Sequence, residues 1–144
     1  MAVEAVPFHV THLEAFPEGL DGLRALGVDL DTVRPLYAVT FQRDGAPVAC
    51  AGVTAVLPWV AEAWVLAHPL GWRERGVVVA MVQHDLLTWL ATGPCHRVQA
   101  TVRVDRRGIC NLLRRLGFTA EGCLRRFDVD GTDHIMYALT REPT

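Results

Sequence analysis

The first candidate for a functional site is a short segment, His68 to Val78, which lies between an apolar run and a helical pattern. It carries two arginines, Arg73 and Arg75, followed at once by Gly76. Where a helix starts behind such a stretch, backbone N–H groups, a glycine and the positive end of a helix dipole meet, and together they bind phosphate. The sequence therefore predicts an anion site here. The alternative is a solvated turn with two surface arginines.

Glu62 is the second candidate, because it interrupts the apolar run from Ala61 to Ala67. A carboxylate inside an apolar strand is costly to bury unless it is paired or functional. Burial would also raise its pKa toward the working range of a general base. A glutamate near the start of a strand can equally be exposed to solvent, so both interpretations remain open.

The composition excludes several other kinds of site. All 14 basic residues are arginine, so neither a Schiff-base lysine nor a P-loop lysine is available. The 4 cysteines lack Cys-x-x-Cys spacing, which favours reduced, mostly buried thiols. Of the 6 histidines only His9 and His12 lie close together, and we interpret them as a surface pair rather than a metal site.

The length and charge favour one cytoplasmic domain. The chain has 144 residues, of which 51% are apolar, and a net charge of −2, which gives no basic field for nucleic acid. No apolar run is long enough to span a membrane, and Met1 to Phe8 lacks the pattern of a signal peptide. We therefore expect no nucleic-acid and no membrane partner.

The elements that position these residues begin with a strand over Val3–Phe8. Thr11–Glu14 then has the spacing of a capping box, which opens a helix. Four helix-breaking residues follow and predict short, irregular helical pieces: Pro17, Gly19, Gly22 and Gly27.

Six further strands and two longer helices follow from the hydrophobic periods and the turn residues. Asp44-Gly45 and Asp130-Gly131 predict hairpin turns, and Gly52 indicates a bulge or a close approach. The strands are predicted over residues 36–42, 47–57, 58–67 and 98–104 and on both sides of Asp130 within 119–141, and the helices over 78–90, stopped by Gly93-Pro94, and from a cap at Asp105 to Gly117. This order predicts an α+β fold with a mixed sheet of about seven strands and about four helices.

The order of elements and two motifs resemble the GCN5-related N-acetyltransferase (GNAT) superfamily, which uses acetyl-coenzyme A. The family's phosphate loop, Arg/Gln-x-x-Gly-x-Gly/Ala, is similar to Arg73–Val78, preceded by His68-Pro69 and Trp72. The run from Leu112 to Arg125 is similar to the family's Leu-Gly-Phe, Glu-Gly and Arg sequence into its sixth strand. The resemblance covers residues 36–141 by motif and 1–35 by element order alone.

The resemblance implies one acyl-CoA N-acyltransferase domain with α/β/α-like layers over residues 1–144. Residues 1–35 would form the acceptor-side helices, 36–104 the cofactor-binding core, and 105–144 the C-terminal helix and strands. It also implies acetyl-CoA as co-substrate, no metal, and a homodimer through the sheet edge or the final strands as one arrangement. The implied cofactor-binding residues are Leu66, Ala67, His68, Arg73, Glu74, Arg75, Gly76, Val77, Val78 and Asn111.

Three positions depart from the family pattern. Val78 stands where the loop usually ends in Gly or Ala, and its side chain would crowd an approaching phosphate. Leu113 replaces the tyrosine that protonates the departing thiolate in many members, and Arg106 replaces a frequent asparagine. Nearby, Cys110 is either a weak acid or a buried, inert thiol. The combination of a Trp-bearing fourth strand with these departures also resembles acetyltransferase-like proteins encoded by phages.

Two functions remain open at this point. The first is an N-acetyltransferase in which Glu62 deprotonates a primary amine of unknown identity, since family members that acetylate histones carry a glutamate at the same distance before the loop. The second is a catalytically silent GNAT-like module that senses the cofactor or binds another protein, for example in a phage assembly. Paired arginines such as Arg106-Arg107 and Arg114-Arg115 are interpreted mainly as solvated faces, one of which could reach the 3′-phosphate of coenzyme A.

Overall fold

The computed structural model describes residues 2–25, 29 and 35–143, without the side chains of Gly22, Leu23 and Ala25. In these ranges strands and helices follow one another in the predicted order. The elements are β1 (Glu4–Pro7), a 3₁₀ helix (Val10–Ala15), α1 (Pro17–Ala25), β2 (Tyr37–Arg43), β3 (Ala46–Leu57), β4 (Val60–Ala67), α2 (Trp72–Thr92), β5 (Arg97–Arg103), α3 (Arg107–Arg115), β6 (Thr119–Leu124) and β7 (His134–Thr140).

The strands form a seven-stranded sheet in the order β1-β2-β3-β4-β5-β7-β6. Strands β4 and β5 run parallel, whereas β1 with β2, β2 with β3, β5 with β7, and β6 with β7 pair antiparallel. This mixed sheet confirms the predicted fold class. The described residues group into two compact units: the first takes Met1–Thr54 and Trp64–Val82, and the second takes Ala55–Ala63 and Gln83–Thr144. The assignment of a single domain stays a prediction.

In the first unit, β2 and β3 form the predicted hairpin. Asp44 and Gly45 have φ angles of 53° and 79°, the left-handed pair that a tight two-residue turn requires. The bulge of this hairpin lies between Phe41 and Gln42 rather than at Gly52. Gly52 instead marks a close approach, because a Cβ there would lie 2.5 Å from Cζ2 of Trp64.

The core of the first unit lies between this hairpin and helix α2. Phe41, Val48, Ala49 and Val78 are buried together. Residues packed against them are Val3, Ala5, Val39, Leu70 and Val82. Since Val78 belongs to α2 and the other three to β2 and β3, this cluster fixes the first turns of the helix on the hairpin.

The N-terminal region forms two short helical pieces, as predicted, and the second begins at Pro17, but two details of the prediction are wrong. The 3₁₀ helix is capped by His9, whose amide donates to His12 Nδ1 at 3.1 Å, and not by the Thr11–Glu14 pair. Helix α1 runs without a break past Gly19 and Gly22, while Gly27 lies outside the described residues. A Cβ at Gly19 would force the Leu66 side chain to shift, which is a packing reason for a glycine inside a helix.

In the second unit, strand β5 alternates as predicted. Val98, Ala100 and Val102 are buried, and the residues between them are half-buried. Tyr137 of β7 is fully buried opposite Ala100. Helix α3 ends at Arg115, and the predicted stop, Gly117, follows the C-cap with a φ of 101°, a left-handed backbone that favours glycine.

Asp105 does not cap α3, contrary to the prediction. The N-cap is Arg106, which makes no side-chain capping bond. The Asp105 carboxylate instead accepts bonds from Arg103, at 3.2 Å to Nε and 3.1 Å to Nη2. Arg103 also forms ion pairs with Asp128 and Asp130 in the connection between β6 and β7. This connection runs from Leu124 to His134 and is therefore longer than the expected tight hairpin turn.

Candidate functional site

Helix α2 begins at Trp72 rather than at Val78, so Arg73–Val78 lie in its first turns and not in a loop. The reason is a local cap: Glu74 Oε1 accepts a bond of 3.0 Å from the amide of Gly71, and the amide of Arg75 donates to the Gly71 carbonyl at 2.9 Å. The structure thus places the predicted phosphate-loop residues Arg73–Val78 inside the helix. From Arg75 onward the amides serve the helix, and the amides without an intrahelical partner are those of Trp72, Arg73 and Glu74.

The side chains at this helix start are exposed. The guanidinium of Arg73 lies 5.0 Å from the centre of the Trp72 ring, and Arg75 Nη2 reaches the Leu70 carbonyl only at 3.4 Å. A Cβ at Gly76 would meet nothing within 4 Å. The site therefore offers two exposed guanidinium groups beside open space, which suits an incoming anion.

Val78 does not crowd this site as the sequence suggested. Its side chain is 7% exposed and packs in the core with Phe41, on the inner side of the helix. The departure from the small residue of the family pattern thus has a packing explanation.

An ion pair between Arg43 and Glu74 lies at the helix start, and sequence reasoning missed it. Arg43 Nε and Nη2 each donate to a carboxylate oxygen of Glu74 at 2.6 Å. These bonds, and then the bond from the Gly71 amide, lower the pKa of Glu74. One anion of the chain itself therefore already lies at the positive end of α2. No local pattern could reveal it, because the two residues come from a hairpin and a helix far apart in sequence.

Glu62 is the third residue of β4 and is half-buried. In the described part of the chain its carboxylate has no hydrogen-bond or ion-pair partner, and burial raises its pKa. Its neighbour in the parallel register is Gln99 of β5, whose oxygen accepts a bond of 3.0 Å from Arg97. An unpaired carboxylate with a raised pKa is a stronger base than an ordinary glutamate, which suits the proton acceptor that the sequence predicted.

The predicted pantetheine-binding residues lie at the end of β4. The register of β4 with β5 runs from Val60 to Glu62, and β4 itself continues to Ala67. Leu66 contacts Gly19, and His68 directs its amide to the Val48 carbonyl at 3.0 Å. The His68 ring stacks on Phe16 with 4.7 Å between ring centres.

His9 and His12 form hydrogen bonds that cap the 3₁₀ helix and join it to β2. His9 Nδ1 accepts a bond from the Thr11 amide at 3.2 Å, and His12 Nδ1 lies 2.7 Å from the hydroxyl of the buried Thr40. Within the described ranges no group of three or more potential metal ligands occurs.

The residues predicted around the missing thiolate acid all lie in the second unit. Leu113 and Cys110 are each 6% exposed, and the Cys110 thiol points to the Arg103 carbonyl at 3.9 Å. This burial favours the inert-thiol interpretation of Cys110. Asn111 lines a cavity together with Arg107, Arg114 and Tyr137.

Comparison with known proteins supports the fold through structure and not through sequence. No protein-family model matches this chain, and no curated protein matches its sequence. Among solved structures, Ard1 from Thermoplasma volcanium superposes with a TM-score of 0.75 at 16% identity, covering 99% of each chain. An acetyltransferase of the GNAT family from Streptococcus pneumoniae gives a TM-score of 0.71 at 13% identity, covering 96% of this chain and 99% of the other.

A third neighbour was solved with the cofactor. RimL, a ribosomal L7/L12 alpha-N-protein acetyltransferase in complex with coenzyme A, gives a TM-score of 0.68 at 18% identity, covering 97% of this chain and 94% of the other. At these identities the likeness establishes the fold alone. The chain has the acyl-CoA N-acyltransferase fold of GNAT acetyltransferases, as predicted. In the part of the chain that the structure describes, no helix is long and apolar enough to cross a membrane.

Proposed function

We propose that this protein is an N-acetyltransferase that moves an acetyl group from acetyl-CoA to a primary amine. The observation that carries the proposal is the exposed start of α2, where three amides without helical partners lie beside Arg73, Arg75 and the open space at Gly76. A neighbour of the same fold was solved with coenzyme A. Pyrophosphate is an anion that such a helix start can bind.

We assign the proposed cofactor contacts to residues of β4 and α2. The amides of Trp72, Arg73 and Glu74 bind pyrophosphate oxygens, and the guanidinium groups of Arg73 and Arg75 add charge-assisted bonds. Backbone groups of Leu66 and Ala67 bind the pantetheine arm. His68 and the Gly76–Val78 backbone frame the site without donating further amides. Asn111, which the family resemblance also assigned to the cofactor, lines the cavity of the second unit.

Acetyl transfer requires one group that accepts a proton from the amine and one hydrogen-bond donor that stabilises the oxyanion. Glu62, through a water molecule, takes a proton from the acceptor's ammonium group, and the free amine attacks the thioester carbon. A backbone amide stabilises the oxyanion, and the carbon–sulfur bond then breaks. The thiolate of coenzyme A leaves and takes a proton from solvent, because Leu113 offers no acid, and the acetylated nitrogen releases its extra proton to solvent.

Calorimetric titration with acetyl-CoA tests the cofactor site. We expect micromolar binding by the native chain and its loss in Gly76→Trp, which places an indole in open space at the helix start without an internal clash. Gly108→Trp is the matched control, since Gly108 lies in the first turn of α3 and also faces open space. Equal binding by both variants would contradict the proposed site.

The second candidate, a catalytically silent module, is favoured by two observations: Leu113 replaces the acid, and Glu74 already holds the helix start with Arg43. A panel of amines that includes peptides with a free N-terminus separates the two. Release of free thiol with any acceptor supports the enzyme. Tight cofactor binding without release by any of them supports the silent module.

Glu74→Gln should tighten acetyl-CoA binding about threefold or more, because it removes one negative charge from the helix start and frees Arg43 for phosphate. The pKa of Glu74 lies below its usual value, so its charge is present at neutral pH and is lost only as the pH falls through that lowered pKa. The gain should therefore shrink toward acidic pH. Weaker or unchanged binding at neutral pH would show that Glu74 holds the site together instead of competing for it.

A further inference from the structure

The second unit contains a cavity of about 250 Å³ beside helix α3 and strand β7. Its lining includes Arg107, Cys110, Asn111 and Arg114 on the helix and Tyr137 on the strand. Val104 and Ile135 supply apolar surface. A space of this size holds several water molecules or one small organic ligand.

The floor of the cavity carries an unsatisfied phenol. Tyr137 is 0% exposed, and its hydroxyl has no hydrogen-bond partner. Leaving a buried hydroxyl unpaired is costly, so such groups in native proteins call for a partner. Burial and then the neighbouring Cys110 raise the pKa of Tyr137, and the nearby Arg114 offsets part of this rise, so the hydroxyl keeps its proton and can donate it.

The rim of the cavity carries two arginines that no neighbouring carboxylate pairs with in the described part of the chain. Arg107, Asn111 and Arg114 are spaced by four and three residues, which places them on one face of α3. In the described ranges neither arginine side chain has an ion pair with a carboxylate. By contrast, Arg43, Arg97 and Arg103 are each bound to an aspartate or a glutamate. Guanidinium groups are donors only, so what they lack is an acceptor with negative charge.

We propose that this cavity binds the oxyanion group of a small organic molecule, a carboxylate or a phosphoryl group. Arg107 and Arg114 bind its oxygens, Asn111 donates from its amide, and an acceptor atom of the ligand reaches the hydroxyl of Tyr137. The carbon part of the ligand packs on Val104 and Ile135. The site is independent of the start of α2, because none of its lining residues belongs to that helix.

The test is an NMR titration of the full ¹⁵N-labelled chain at constant ionic strength, with inorganic phosphate and with butyrate as probes. We expect saturable shifts of the Asn111 side-chain amide, with affinity at least about tenfold lower in Arg107→Gln and in Arg114→Gln. Arg115→Gln is the matched control, since it removes the same charge from the same helix outside the cavity. Tyr137→Phe should weaken binding while leaving the rim intact. Whichever probe binds more tightly identifies the group as carboxylate or phosphoryl.

Three results would overturn the proposal: no saturable binding of either probe, an equal loss in Arg115→Gln, or displacement of the probe by acetyl-CoA. The last result would assign the cavity to the cofactor. Binding of the probes in a chain that fails to bind acetyl-CoA would leave this site standing while the proposed function fails.

Discussion

Glu62→Gln is expected to lower kcat for acetyl transfer about 100-fold or more, because it removes the proton acceptor and keeps the shape of the side chain. The carboxyl is half-buried in β4 without a partner, so the substitution breaks no bond that the structure records. The affinity for acetyl-CoA should stay within about twofold, since this residue deprotonates the acceptor and does not bind the cofactor. Steady-state thiol release and calorimetry on the same preparation measure the two quantities.

The pH dependence gives the same test a second readout. Only the deprotonated form of Glu62 is a base, so activity is lost as the pH falls through its pKa, and that pKa is raised by burial. The acid limb of kcat/KM should therefore lie above the range of an ordinary glutamate in the native chain. It should be absent from whatever activity the variant retains.

Stability separates a catalytic role from a structural one. Because the folded-state pKa of Glu62 is raised, the folded chain holds its proton more tightly than the unfolded chain, and the charged carboxylate lowers stability as the pH rises. Glu62→Gln should thus be as stable as the native chain at neutral pH, or more so. Glu14→Gln, at an exposed position of the 3₁₀ helix, is the control for both readouts. Native turnover in Glu62→Gln would remove Glu62 from the mechanism.

The fold could be predicted because its signals are local. The alternation of Val98, Ala100 and Val102 identifies β5, and the Asp44-Gly45 pair identifies the β2–β3 turn. Gly117 ends α3 through a left-handed backbone that the sequence alone suggested. Each of these features depends on a few consecutive residues, and their order then selects the sheet topology.

The start of α2 could not be placed because two local signals competed. The Arg-x-x-Gly pattern suggested a loop, whereas Gly71 and Glu74 have the spacing of an N-cap residue and the N3 residue that accepts its amide. In the structure this cap forms, and the helix begins at Trp72. The pairing of Glu74 with Arg43 strengthens it, and that bond joins elements that only the folded chain brings together.

The cavity of the second unit depends wholly on tertiary structure. From the sequence, Arg107 and Arg114 belonged to arginine pairs on solvated faces, and Tyr137 was one residue of a final strand. Their meeting requires α3 to pack beside β7, which neither hydrophobic period nor spacing specifies. Because the buried Tyr137 hydroxyl lacks a hydrogen-bond partner and lies in the same cavity as these arginines, the cavity becomes a candidate binding site.

Phe41→Ala is expected to cost about 3–5 kcal/mol in the free energy of unfolding, the range for a fully buried phenylalanine. Phe41 is 0% exposed and packs against Val48, Ala49 and Val78, so its loss leaves a cavity beneath the first turns of α2. Urea unfolding followed by tryptophan fluorescence measures the change.

The matched control is Phe127→Ala, which removes the same ring from a residue that is 53% exposed and should cost less than about 1 kcal/mol. A small cost at both positions would contradict the packing of α2 on the β2–β3 hairpin.

Phe41→Ala also tests how the helix start is held, because Val78 is the helical member of this cluster. If the cluster sets the position of the free amides, Phe41→Ala should weaken acetyl-CoA binding at temperatures where the variant is still folded. The more conservative Phe41→Leu should retain more of that binding, since it fills part of the same space.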